Sequence, residues 1–152
     1  MLPHTTPQHY ITGKTALNIP SKEGTGDWHF QESFYGRGNL KQKISLAGEG
    51  EPLDTNPILA DFGIYECSST LREWGLPISD EEKVYAANHY RAMLDMLYRC
   101  AKKNIYPHHL DIDEWFNTPE EISFLLEAIN RMEAKLPNTE RQVIEKWIAQ
   151  QT

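Results

Sequence analysis

SDEEKVYAANHYRAMLDMLYRCAKKN, residues 79–104, is the stretch whose reading decides the fold. Wound at about 100° per residue, Ala86, Ala87, Tyr90, Met93, Leu94, Leu97, Tyr98, Cys100 and Ala101 fall on one broad arc. Asn88, Arg91, Asp95, Arg99 and Lys102 share the opposite side. An apolar arc wider than the usual amphipathic stripe predicts contact with more than one neighbouring element. Ser79 and Glu82 have capping-box spacing, with acidic residues in the first turn. Lys102 and Lys103 suit the last turn, Asn104 can close it, and Pro107 forbids continuation. The expectation is one long central helix on which the rest of the chain packs.

The chain on either side differs in texture. Residues 1–12 contain Pro3 and Pro7 and read as an irregular arm. Residues 13–50 hold seven of the nine glycines, with β-type residues between them. Short strands are expected over 16–19 and 28–35 and, third, over 41–47, forming a small antiparallel meander. From residue 54 to 150 the chain is helical in character. Pro57 suits a first helical position, and Ile64, Cys67, Leu71 and Trp74 recur at helical spacing. Gly63 either divides two helices there or bends one. Thr118-Pro119-Glu120-Glu121 is a strong helix start, followed by the stripe Ile122, Leu125, Ile129, Met132 and Leu136. Pro137 breaks that helix, Asn138 or Thr139 caps the next, and Val143, Ile144, Trp147 and Ile148 form its buried face. The fold class is α+β: one domain, with a small N-terminal antiparallel β-meander packed on a mainly helical body of four to five helices.

Composition narrows the function. A net charge of −7 disfavours nucleic-acid binding, which clustered Lys and Arg supply, and suits a basic protein partner. No stretch could span a bilayer, no export signal opens the chain, and Cys67 and Cys100 are too far apart in sequence for a CxxC site. Reduced thiols and a cytoplasmic location are the expectation.

Catalytic motifs are weak. Gly24-Thr25-Gly26, Gly36-Arg37-Gly38 and Gly48-Glu49-Gly50 lack the further glycine or lysine of a phosphate cradle and read as turns. His108, His109, Asp111 and Asp113, with Glu114, offer nitrogen and oxygen ligands for a divalent ion, which would suit a small metal-dependent hydrolase or nucleotide-processing enzyme. Adjacent histidines diverge in helix or strand, however, and the alternative is a capped interhelical loop with Trp115 and Phe116 plugging the core. Asp27 and His29 would share one strand face, but no nucleophile stands beside them. His89 and Cys100 are three helical turns apart and cannot bond. No cofactor is expected. The rings are more telling: Trp28, Phe34, Tyr35, Trp74, Tyr85, Tyr90, Tyr98, Trp115 and Trp147 include candidates for interface anchors.

The segments TALNIPSKEGTGDWHFQESFY (residues 15–35), GIYECSSTLREWG (63–75) and KVYAANHYRAMLDMLY (83–98) carry a resemblance. The chain from residue 15 to 116 resembles small bacterial proteins that sit beside AbiEii-type nucleotidyltransferases, in pairs resembling toxin–antitoxin modules. The resemblance implies an acidic antitoxin-like partner that occludes a basic nucleotidyltransferase-type toxin. It carries over no catalytic residues. The Asp111-X-Asp113 pair lacks the upstream Gly-Ser motif of the transferases themselves, since 99–103 takes that place. The partner-binding face expected from the residues is Trp28, His29, Phe30, Phe34 and Tyr35 as anchors, with Glu23, Asp27 and Glu32 as an acidic rim.

Overall fold

The computed structural model describes residues 3–20 and 44–151. The expected strand over 28–35 lies outside the described residues. Those described form an α+β fold in which a four-stranded mixed sheet supports six α-helices. The strands are β1 (His9–Ile11), β2 (Leu46–Gly48), β3 (Ile64–Glu66) and β4 (Tyr85–Ala87), in the order β2-β1-β4-β3. Tyr10 lies opposite Ala47 and Tyr65 opposite Ala86 in antiparallel pairs, while Ile11 meets Ala86 in a parallel one. Among the described residues the sheet is therefore mixed rather than antiparallel throughout, and it gathers strands from both halves of the chain.

Several boundaries move with it. The arm expected over 1–12 contains β1, whose Tyr10 and Ile11 are fully buried. The strand expected at 16–19 instead begins inside α1 (Gly13–Leu17) and ends in a turn; of the one expected at 41–47, residues 41–43 lie outside the described residues and Leu46 and Ala47 enter β2. The 57–74 stretch is two short helices, α2 (Asn56–Leu59) and α3 (Ser68–Glu73), with β3 between them. Helical spacing of Ile64 and Cys67 was coincidental: the three residues of β3 pair along β4, and long-range pairing outweighs so short a periodicity.

The central helix, α4 (His89–Lys102), starts nine residues later than the sequence suggests. Ser79 and Glu82 form a turn through backbone, Glu82 N–H to the Ser79 carbonyl at 3.1 Å, and no cap. Asn88 is the true N-cap, its side chain accepting from the Arg91 N–H at 2.9 Å. At the other end Asn104 adopts φ +55°. Its N–H reaches the Ala101 carbonyl at 3.0 Å and that of Ile105 the Cys100 carbonyl at 2.9 Å, a Schellman closure that Asn104 was expected to supply. Around α4 pack α1, α5 (Pro119–Glu133) and α6 (Asn138–Ala149). Phe116, Leu125, Ile129, Met132, Ile144 and Trp147 complete the core, and the Trp147 indole donates to the Leu110 carbonyl at 3.1 Å.

The start of α5 is as expected. Thr118 Oγ1 accepts from the Glu121 N–H at 3.1 Å, and Glu121 Oε1 reaches back to the Thr118 N–H at 3.4 Å. For α6 the cap position falls on Pro137, and neither Asn138 nor Thr139 caps it. Where α5 meets α6, Glu133 is buried beside Glu145. Burial first, and the Glu145 carboxylate second, push the Glu133 carboxyl up to about 7. A carboxyl raised on folding binds its proton more tightly in the folded state. Its contribution is therefore complete below the unfolded value near 4.5 and is lost as pH rises through about 7. Glu133→Gln is expected to stabilise the protein by on the order of 1–2 kcal/mol at pH 8 and by little at pH 4. Thermal denaturation at the two pH values checks this; equal shifts at both would refute it.

Candidate interaction face

The helix side opposite the apolar arc carries the most buried charges of the described chain. Arg91 and Asp95, one turn apart on α4, are both fully buried. Every guanidinium nitrogen of Arg91 has an acceptor. Nε meets Asp95 Oδ1 at 3.2 Å, and Nη1 meets the carbonyls of Ala60 and Phe62 at 2.9 and 2.7 Å. Nη2 meets Thr55 Oγ1 at 2.9 Å and Asn56 Oδ1 at 3.2 Å. Asp95 accepts four bonds: from Tyr10 Oη and Thr12 Oγ1 at 2.7 Å each, from Thr55 Oγ1 at 2.6 Å, and from Arg91. The guanidinium also lies 5.2 Å from the Tyr10 ring centroid. Burial, then the Asp95 carboxylate, hold the Tyr10 phenol well above its ordinary range, so it remains a donor. A network with every partner supplied stitches β1, α2 and α4 together, and no donor is left over for a substrate.

One consequence of this stitching reaches the surface. By holding the Ala60 and Phe62 carbonyls, Arg91 fixes the turn after α2 against α4. Between that turn and α5 runs an apolar groove of about 160 Å³. Leu94 and Ala128 line it with Ile58, Leu59 and Phe62, and Arg131 and Lys135 add positive charge. A row of rings leads out to it from the core. Phe116 stacks on Tyr90 at 4.9 Å, Tyr90 meets the Phe124 ring edge-on at 4.7 Å, and Phe124 stacks on Phe62 at 6.2 Å. Phe124 is 45% exposed. Pockets for drug-sized ligands measure about 300–1,000 Å³, so the groove is too small for one. Its volume is close to the roughly 150 Å³ of an enclosed apolar cavity that takes benzene, but it is open to solvent and edged by two cations.

The expected partner-binding residues, Glu23, Asp27, Trp28, His29, Phe30, Glu32, Phe34 and Tyr35, lie outside the described residues. His108, His109, Asp111 and Asp113 are all exposed. Among the described residues no group of three His, Cys, Asp or Glu side chains is arranged to hold a metal ion. The His108 ring packs on Tyr106 at 4.6 Å, and burial followed by the Lys14 and Arg99 charges lowers the His109 imidazole. Asp111 precedes a short 3-10 turn (Ile112–Glu114) without capping it through its side chain, while Phe116 does plug the core. His89 is buried, with Nε2 2.9 Å from the Ile19 carbonyl. Burial pushes the Cys67 thiol up to about 12 and raises Cys100, which disfavours the reactive thiolate at both.

Comparison with known proteins gives no relative. The chain matches no family model, no curated protein and no solved structure.

The Phe124 face was not among the sequence candidates. Its signal was present: Phe124 falls off the Ile122, Leu125, Ile129, Met132 stripe, in step with Glu120, Ala128 and Arg131. A ring on the polar side of an amphipathic helix is the mark to look for. Among the described residues no helix is long and apolar enough to cross a membrane.

Proposed function

We propose that this chain is a protein-interaction module that acts by direct contact, in the manner of an antitoxin-like inhibitor covering a basic partner enzyme. The observation that carries the contact reading, as distinct from the identity of the partner, is the Phe124 ring, half exposed beside an apolar groove whose α2-side turn Arg91 holds. Rings set in a shaped surface supply affinity through burial, as interface anchors do. Two further features support it. The net charge of −7 would steer a basic partner, a nucleotidyltransferase-type toxin being the kind the sequence resemblance implies. The acidic, ring-rich sequence of Glu23, Asp27, Trp28, His29, Phe30, Glu32, Phe34 and Tyr35 is the proposed contact for that partner.

Co-expression with the product of the neighbouring gene tests this. The two proteins are expected to co-purify, the partner's activity to fall, and Trp28→Ala to weaken the complex at least about tenfold, as loss of an anchor does. A neighbour that neither co-purifies nor responds to Trp28→Ala would refute the reading.

A further inference from the structure

The outward stripe of α5 has an order that its buried side does not require. Glu120, Phe124, Glu127, Ala128 and Arg131 follow at i, i+4, i+7, i+8 and i+11, so they lie along one face, and Lys135, in the turn after the helix, lines the same groove as Ala128 and Arg131. The acids Glu120 and Glu127 flank the exposed ring, and the bases Arg131 and Lys135 follow. All but Ala128 are exposed. Such a layout is self-complementary when the helix meets a copy of itself running the other way.

We infer that this face pairs with a second copy of the chain across a two-fold axis passing near Glu127 and Ala128. The inference rests on the contact-module reading and names the occupant of the Phe124 face. In that arrangement Glu120 meets Lys135 of the partner subunit, and Phe124 arrives over Arg131 of the partner subunit. The ring then lies at the groove of about 160 Å³, beside its two cations. Each contact occurs twice, as an isologous interface requires. The existing pair of Arg131 with Glu127, 3.0 Å apart, is about two-thirds exposed on both sides and gives little resistance to re-pairing. Lys135 donates to the Ile58 carbonyl at 2.9 Å, and its ammonium keeps further protons for a carboxylate. A ring over a guanidinium adds a favourable contact at the centre. Charge reversal along the helix also selects the antiparallel arrangement, since a parallel pair would set acid against acid.

Sedimentation equilibrium of the full chain, with circular dichroism as the check on folding, tests the pairing. The unaltered protein is expected to dimerise in a concentration-dependent manner. Phe124→Ala, Glu120→Lys and Lys135→Glu are each expected to weaken the dimer at least about tenfold. An equimolar mixture of Glu120→Lys and Lys135→Glu chains is expected to recover it. In that heterodimer one chain carries bases at both positions and the other carries acids, so at positions 120 and 135 an acid again faces a base. A protein monomeric at every concentration would overturn the inference, as would a dimer indifferent to all three substitutions or a mixture that fails to recover. A monomer whose complex with the neighbouring gene product weakens on Lys135→Glu would also overturn it, assigning the face to that other protein. Co-expression reads the contact function separately, so a monomer that still captures and inhibits the neighbour would leave that function standing.

Discussion

Asp95→Ala is expected to cost about 3–5 kcal/mol, the loss that follows removal of one partner from a buried ion pair. The total stability of a domain is about 5–15 kcal/mol, so this one change would bring the protein close to unfolding. The magnitude comes from what remains behind. The Arg91 guanidinium would stay fully buried without its carboxylate, and the Tyr10 and Thr12 hydroxyls would each lose an acceptor 2.7 Å away. The surface depends on the same atoms, because Arg91 also holds the Ala60 and Phe62 carbonyls that shape the groove. Urea denaturation followed by the four tryptophans gives the measurement. A midpoint within error of the unaltered protein would show that Asp95 is not tied in as described.

Gly63→Ala should be nearly as damaging, at about 2–5 kcal/mol, for two separable reasons. Gly63 sits at φ +74°, where a side chain costs about 1–2 kcal/mol. A Cβ there would also stand 2.6 Å from Asn88 Oδ1 and 2.7 Å from Arg91 Cβ, and overpacking of that kind costs about 1–3 kcal/mol. The displaced Asn88 is the α4 cap, and its N–H is held by the Gly63 carbonyl at 2.6 Å, so the helix start and the end of the α2 turn shift together. Gly50 separates the two effects. It has φ +83° with nothing within 4 Å of an added Cβ, so Gly50→Ala should show the backbone cost alone. Equal losses at the two glycines would mean that the close approach to α4 carries no weight.

What could be read from the sequence was what is local. The Thr118–Glu121 box, the α5 and α6 stripes and the Asn104 closure each depend on residues within one or two turns, and each is found. The wide apolar arc of α4 rightly implied several neighbours. What was missed is non-local. β1 and β4 are three residues long, too short for alternation to show, and Ala86 and Ala87 favour a helix when read alone. Their strand character comes from pairing between Ile11 and Ala86, far apart in sequence. Asn88 was lost inside the expected helix because Ser79 and Glu82 imitate a cap. Arg91 and Asp95 fell on the side opposite the apolar arc with no partner in view, since Tyr10, Thr12, Thr55 and Asn56 reach them only once the chain has folded. The candidate site divides the same way. Phe124 carried a local sign, but the groove beside it needs α2, α4 and α5 in register.

A double-mutant cycle joining Arg91→Met and Asp95→Leu, read by urea denaturation of the four proteins, asks most directly whether the charged core supports the fold. Each single change strands a charge, whereas the double change leaves an apolar filling of similar size. The double variant should therefore be more stable than the sum of the single losses allows, by about 1.5 kcal/mol or more. Losses that add to within about 0.5 kcal/mol would mean that the two side chains act independently, contradicting the network on which both the fold and the groove depend.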